Sequence, residues 1–209
     1  MLTIEHVLTA LIKASDYQGC SQIKNSLNKV GLDHVILVKV ASTAIVSWHL
    51  SLSKDRVKAA VSHGWMGGHH LPAYRQAPDT GPREGWTGGN ALHGSPSSGA
   101  AGQGRQPGAW TALTTPARAF YDVHFKGGAF DLPRPFGTWA IENVIFKFNA
   151  AESHGMNAIQ AAVKISKDID QLGLTSDDVA NIRLRRKARP SSPQCRWRSL
   201  LKLHGSCGI

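Results

Sequence analysis

Two basic side chains in the second half of the chain have the types that proton transfer or anion binding requires. Lys147 lies inside an apolar run, IFKF, and His154 follows it after six intervening residues. An ammonium group in apolar surroundings needs a partner or a ligand, because its desolvation is unfavourable. The alternative is a strand lysine whose stem is buried and whose charged end reaches water. Both side chains are therefore candidate catalytic residues.

A second group of candidates lies in a segment without helical periodicity, residues 67–86, which reads GGHHLPAYRQAPDTGPREGW. Its length favours a binding loop over an ordinary connection, and a solvated surface loop is the alternative. Arg75, Thr80 and Arg83 could bind an anion there. The histidines lack metal-ligand spacing, and the three cysteines are scattered without a CxxC pair. We therefore expect no metal, no iron–sulfur cluster and no disulfide framework.

The elements that must position these residues are mainly helices. Apolar residues recur at helical spacing in the first dozen residues, and we expect that helix to end near Gly19. Asp33 can cap a second helix over residues 35–50, and Ser53 can cap a third. Lys39 lies within the second helix, where it could bind a substrate or form a structural ion pair. Three helices with little strand signal predict a helical bundle.

The later segments predict a different architecture. Residues 93–108 are rich in Gly and Ser and have no apolar face, so we expect a flexible segment. Residues 141–148 predict a strand or a buried segment, 157–172 a helix, and 179–185 a short strand. The fold class is therefore a mainly α helical domain followed by part of a smaller α+β domain, and it is incomplete.

We divide the chain accordingly into a helical part over residues 1–135, a partial α+β part over 136–185 and a basic tail over 186–209 that lies outside the fold. The formal net charge is +10, but residues 183–209 contain eight bases and no acid, which leaves only +2 for the rest. The tail has one aromatic residue and no recognised module, so we expect no nucleic-acid partner.

Membrane insertion is not expected either. The longest apolar run covers residues 35–50 and is interrupted by Lys39 and His49, so it is shorter than the roughly 20 residues of a transmembrane helix. The first residues resemble neither a secretory leader nor a transit peptide.

Five stretches of the chain together resemble one family. They read, in chain order, IKNSLNKVGLDHVILVKVASTAIVSW, YRQAPDTGPREGW, FYDVHFKG, RPFGTWAIENVIFKF and ESHGMNAIQAAVKIS. In order and spacing they resemble the MmgE/PrpD family of 2-methylcitrate dehydratases, with a fungal character, over about residues 1–91 and 106–185. The chain thus resembles an internal fragment of that family. Residues 92–105 and those after 185 do not fit, and our hypothesis is a frame shift or a retained intron.

The resemblance implies a fold, an activity and a set of site residues. The fold has a large helical and a smaller α+β domain with the active site between them. The activity is a hydro-lyase reaction, without a cofactor, that removes water from 2-methylcitrate to give 2-methyl-cis-aconitate in propanoate breakdown. The implied catalytic residues are His34, Lys147 and His154, and the implied substrate-binding residues are Arg75, Thr80, Arg83 and Lys39. Family members also suggest a mitochondrial matrix location and a homodimer, whereas the chain as given would stay cytoplasmic.

Several departures from the family pattern predict weak or absent activity. Pro72 stands for an arginine and Glu84 for a lysine, so positive charge is lost beside a site for a tricarboxylate. One alternative is a noncatalytic remnant or binding protein that pairs with a full-length homologue. Another is a different tricarboxylate lyase, such as cis-aconitate decarboxylase.

Overall fold

The computed structural model describes residues 2–75, 78, 81–104, 106–151, 153 and 155–183. These residues form seven α-helices: α1 (Ile4–Gln22), α2 (Val35–His49), α3 (Lys54–Met66), α4 (Arg83–Gln103), α5 (Phe120–Phe125), α6 (Trp139–Glu142) and α7 (Met156–Gln171). Three short 3-10 helices cover Leu27–Val30, Ala73–Arg75 and Ser176–Asp178. The mainly helical fold class is confirmed. Within the described residues, no helix is long and apolar enough to cross a membrane.

The chain divides into two compact units, residues 1–144 and residues 145–209. In the first unit, α2 is the central helix and packs against α1, α3 and α4. Its apolar residues Ile36, Leu37 and Val40 are at most 1% exposed. The core continues through Trp65 and Phe120, whose rings lie 4.6 Å apart between centroids. The packing of α2 against three other helices accounts for the apolar composition of residues 35–50.

Helix α1 continues past Gly19, where the sequence predicted its end. The absence of a side chain at Gly19 leaves room for α6, because a Cβ on Gly19 would lie only 2.6 Å from the Cβ of Ala140. The buried carboxylate of Asp16 fixes the same contact by accepting a 2.9 Å hydrogen bond from the Ala140 backbone N–H. Gly19 therefore permits the approach of α6 to α1.

Helix α4 includes residues 93–103, which belong to the segment at 93–108 for which we expected flexibility; the sequence did not predict a helix there. The small residues of the segment permit a close approach to α2, since a Cβ on Gly99 would lie 2.9 Å from Cγ1 of Val46. Packing of α4 against α2 and α3 outweighs the low helix propensity of glycine, which costs about 1 kcal/mol per residue relative to alanine. The loop expected at 67–86 accordingly ends where α4 begins, at Arg83.

The expected strands are not formed in the described residues. In the first unit, α6 ends at Glu142. In the second, Ile145, Phe146 and Phe148 are 80% to 86% exposed in non-regular backbone, and residues 179–183 are also non-regular. A strand needs a paired neighbour for its backbone groups, and the described residues supply none. Leu184 and Arg185, the end of the second predicted strand, lie outside the described residues. The predicted helix between the strands is present as α7.

Replacing Gly19 with alanine should destabilise the protein, whereas the same change at Gly89 should stabilise it. Both glycines are helical, but a Cβ on Gly89 meets no atom within 4 Å. We expect Gly19→Ala to lower the free energy of unfolding by about 1 kcal/mol, because overpacking exceeds the gain in helix propensity. Gly89→Ala should raise it by about 0.5–1 kcal/mol. Urea denaturation measures both, and equal gains would contradict the close contact at Gly19.

Candidate functional site

The start of α2 is built around the buried carboxylate of Asp33. Its side chain is 0% exposed, and Oδ1 accepts a 3.1 Å hydrogen bond from the backbone N–H of Val35. The side chain of Asp33 therefore caps α2, as predicted. The residue immediately before the first helical residue is His34, whose own side chain makes no capping hydrogen bond. The backbone N–H of Asp33 donates to the carbonyl of His70 at 2.9 Å. Asp33 thus connects the helix start to the loop at residues 67–75.

The same carboxylate forms a clamp with two loop side chains. Arg75 donates from Nε to Oδ2 of Asp33 at 2.8 Å and from Nη2 to Oδ1 at 3.4 Å. The Tyr74 hydroxyl also donates to Oδ2. Burial alone raises the pKa of Asp33, but the hydrogen bonds from Arg75, Tyr74 and the Val35 backbone outweigh it and keep that pKa below its usual value. Asp33 is therefore an anion at neutral pH, and this Asp33–Arg75–Tyr74 clamp fixes the loop.

His34 lies half-buried beside the clamp. Its Nδ1 is 3.6 Å from Oδ1 of Asp33, too far for a hydrogen bond, and has no hydrogen-bond partner among the described residues. Burial lowers the pKa of His34, the Asp33 charge opposes this shift, and the Arg75 charge supports it. The imidazole is consequently neutral at pH 7 and can accept a proton.

Lys39 of α2 holds the beginning of the loop through hydrogen bonds. Its side chain is buried, and Nζ donates to the carbonyls of Gly67 at 2.9 Å and Gly68 at 2.6 Å, directly after α3. Carbonyls at the end of a helix carry partial negative charge, which suits an ammonium group. Burial lowers the pKa of Lys39. This geometry favours a role in positioning the loop over direct substrate contact, and substrate binding by Lys39 stays a prediction.

A cavity of about 620 Å³ lies beside these two glycines. It is lined by Gly67, Gly68, His69, His70, Leu71, Ala73, Tyr74, Arg83 and Asn90. The Arg83 guanidinium stacks 4.4 Å from the ring centroid of Trp86 and 5.5 Å from that of Tyr74. Among the described residues Arg83 has no carboxylate partner. Arg83 therefore offers the cavity a cation whose charge is not neutralised by an ion pair there.

Two half-buried imidazoles, those of His69 and His70, also line the cavity. The Nδ1 atoms of His69 and His70 are buried and lack hydrogen-bond partners among the described residues. His69 also stacks edge-on against Phe120 and His124. Burial, together with the charges of Lys39, His124 and His70, lowers the pKa of His69 to about 4. Both Nδ1 atoms are polar groups that a bound ligand could satisfy.

The structure brings four of the seven predicted site residues into one region of the first unit: His34, Lys39, Arg75 and Arg83. Lys147 belongs to the second unit and is exposed, with Nζ donating to the Ala151 carbonyl at 2.9 Å. The apolar surroundings expected for it are absent, since the IFKF side chains are largely exposed. Thr80 and His154 lie outside the described residues. Their roles, like those of the other five, stay predictions.

Sequence reasoning missed the centre of this arrangement. It assigned Asp33 only as a helix cap, and it treated Glu84 only as the loss of a positive charge. Asp33 and Arg75 are 42 positions apart, so no local pattern joins them. The Asp-His pair directly before an apolar helix was the available signal. Among the described residues, no three His, Cys, Asp or Glu side chains form a group that could hold a metal ion.

Comparison with known proteins decides the family. Residues 3–133 match the MmgE/PrpD N-terminal domain. The chain belongs to the MmgE/PrpD family.

Individual MmgE/PrpD proteins are similar over most of this chain. The 2-methylcitrate dehydratase-like protein oryR of Aspergillus oryzae is 50% identical over 88% of the chain and 38% of its own length. The 2-methylcitrate dehydratase of Escherichia coli K12 is 43% identical over 88% and 38%. The mitochondrial 2-methylcitrate dehydratase of Yarrowia lipolytica is 40% identical over 87% and 35%. The chain therefore spans little more than a third of the length of these relatives.

Replacing Asp33 with asparagine should cost about 3 kcal/mol of the free energy of unfolding, because it leaves the Arg75 guanidinium without its buried counter-ion. Asp55→Asn is the matched control, since Asp55 is 82% exposed and its contact with Lys58 is 3.7 Å long. The control should change stability by no more than about 0.5 kcal/mol. Equal losses in urea denaturation would show that the clamp is energetically unimportant.

Acid should destabilise the protein through His69. Its imidazole titrates near 6.5 in an unfolded chain and at about 4 in the folded protein, so the unfolded state binds the proton first. The stability is fully present above pH 6.5 and is lost as pH falls towards 4, by up to about 3 kcal/mol.

The variant His69→Gln should lose less stability than the unchanged protein between pH 6.5 and 4. The control His93→Gln, which removes an exposed imidazole, should retain the full loss. Free energies of unfolding measured across this pH range decide the matter; parallel curves for all three proteins would rule out His69 as the cause.

Proposed function

We propose that this chain carries part of the site of a hydro-lyase that removes water from 2-methylcitrate to give 2-methyl-cis-aconitate in propanoate breakdown. One observation supports this most: Arg83, His69 and His70 line a single cavity whose loop is fixed beside the neutral imidazole of His34. A tricarboxylate needs cations and hydrogen-bond donors, and elimination needs a base. Relatives named 2-methylcitrate dehydratase agree with this chemistry.

The reaction requires two proton movements. A base takes the carbon-bound proton, the electron pair of that C–H bond forms the C=C bond, and the hydroxyl leaves as water once an acid has protonated it. In this proposal His34 is the base, because its imidazole is neutral at pH 7 and its Nδ1 has no hydrogen-bond partner among the described residues. Arg83 binds a substrate carboxylate and stabilises the charge that develops on it. Arg75, Thr80 and Lys39 remain proposed for substrate binding, Arg75 and Lys39 through their hold on the loop. Lys147 and His154 remain proposed catalytic residues.

The 209-residue chain by itself should turn over substrate slowly or not at all. It spans 38% of the length of its relatives, and apolar residues of α1 that no described element covers, such as Ile4 and Leu11, are 79% and 58% exposed. A mitochondrial location is proposed from the Yarrowia relative, and a homodimer from the family resemblance.

A second candidate function follows from those uncovered surfaces. Exposed Ile4, Leu8 and Leu11 on α1 would suit a noncatalytic protein that pairs with a full-length homologue. Co-expression with an intact 2-methylcitrate dehydratase, followed by sedimentation, distinguishes the two candidates. A stable mixed complex with no 2-methylcitrate affinity in the isolated chain favours pairing.

Binding of 2-methylcitrate should depend on Arg83. We expect Arg83→Gln to weaken binding about tenfold, which corresponds to the loss of one charge-assisted hydrogen bond. Lys54→Gln is the matched control, because it removes the same charge from an exposed position at the start of α3. Isothermal titration calorimetry measures both; equal affinities would exclude Arg83 as a binding residue. Release of CO2 from cis-aconitate, in place of water from 2-methylcitrate, would indicate the decarboxylase alternative.

A further inference from the structure

All three nitrogens of the Arg75 guanidinium donate hydrogen bonds to this chain's own carboxylates. Asp33 accepts from Nε and Nη2, and Oε1 of Glu84 accepts from Nη1 at 2.8 Å. The Arg75 side chain is 22% exposed. An incoming carboxylate could therefore form a paired, two-bond contact with Arg75 only by displacing one of these two partners.

The two partners differ in how easily they can be displaced. Asp33 is 0% exposed and also accepts hydrogen bonds from Tyr74 and the Val35 backbone, so removing it would dismantle the start of α2. Glu84 is 52% exposed and lies in the first turn of α4, with Arg75 as its ion-pair partner among the described residues. Glu84 is therefore the partner that stands where a ligand carboxylate would bind.

Glu84 lies next to the cavity and influences it electrostatically. Arg83, which lines the cavity, directly precedes Glu84, and Tyr74, which also lines it, directly precedes Arg75. The Glu84 charge also reaches His34, whose pKa it raises against the larger effect of burial. With Glu84 present, Asp33, Arg75 and Glu84 carry a net charge of −1, so Arg83 faces the ligand beside a negatively charged group.

We propose that the Glu84 carboxylate occupies the anion-binding position of Arg75 and thereby limits how many ligand carboxylates this cavity can hold. Glu84 is thus a specificity-determining residue: its presence favours ligands with few carboxylates, and its removal opens a second cation to polycarboxylates. This inference rests on the proposed function, since it concerns the same cavity.

Citrate binding to the full chain tests the inference. We expect Glu84→Gln and Glu84→Ala to bind citrate about tenfold more tightly than the unchanged protein at low ionic strength, since repulsion is removed and Arg75 becomes accessible. Asp55→Asn and Asp55→Ala are matched controls. They remove the same charge from the first turn of another helix, α3, and should change the affinity less than twofold. Equal affinity in the Glu84 variants and the unchanged protein overturns the inference.

A second measurement needs no ligand. Phenylglyoxal modifies accessible guanidinium groups, and peptide mass spectrometry can follow the rate at Arg75 separately from that at Arg83. Glu84→Ala should raise the rate at Arg75 several-fold and Asp55→Ala should not. An unchanged rate at Arg75 overturns the contact itself.

The two measurements separate this inference from the proposed function. Faster modification of Arg75 together with no citrate binding in any variant refutes the carboxylate site, and with it the proposed function, while the Glu84–Arg75 contact stands. Citrate binding that depends on Arg83 but not on Glu84 leaves the proposed function in place and refutes the inference.

Discussion

The buried carboxylate of Asp33 receives hydrogen bonds from a helix backbone, a phenol and a guanidinium group, and this convergence organises the first unit of the chain. The Val35 backbone belongs to α2, whereas Tyr74 and Arg75 come from the loop. A single charge buried at 0% exposure is tolerable only because each of its lone pairs has a donor. The helix start, the loop path and the setting of His34 therefore depend on one another.

The helices of this chain were largely predictable, and the failures have physical causes. Apolar spacing, candidate caps and the apolar run at 35–50 predict α1, α2, α3 and α7, although the apolar face of α1 is largely exposed and α7 has no buried residue. The pattern did not predict α4, since glycine and serine have low helix propensity and only the close approach of Gly99 to Val46 shows why the helix forms. The run at 141–148 carries strand-forming residues, but strand formation requires a neighbouring strand.

The candidate site was predictable only in part. Arg75 and Arg83 could be selected as cations on a long loop, and His34 through a family resemblance. Their contacts could not be predicted from the sequence. Arg75 pairs with Asp33, which lies 42 positions away in the chain, and with Glu84, which the first turn of α4 brings into contact with it. The histidines at 69 and 70 had no recognised spacing, yet the fold places both in the wall of one cavity. Residue type predicts a capacity for chemistry, and packing decides whether that capacity is available.

The buried contact of Lys39 with the Gly67 and Gly68 carbonyls has a consequence for motion. A surface loop ordinarily opens with a free energy near zero, independently of the helices that flank it. Here the beginning of the loop is attached to α2 by a buried ammonium, and Tyr74 and Arg75 are attached to Asp33 at the start of the same helix. Opening of residues 67–75 thus requires breaking contacts of the helical core, and the loop behaves as part of that core's cooperative unit. A ligand entering the cavity meets a wall that is already ordered, so its binding loses little conformational entropy.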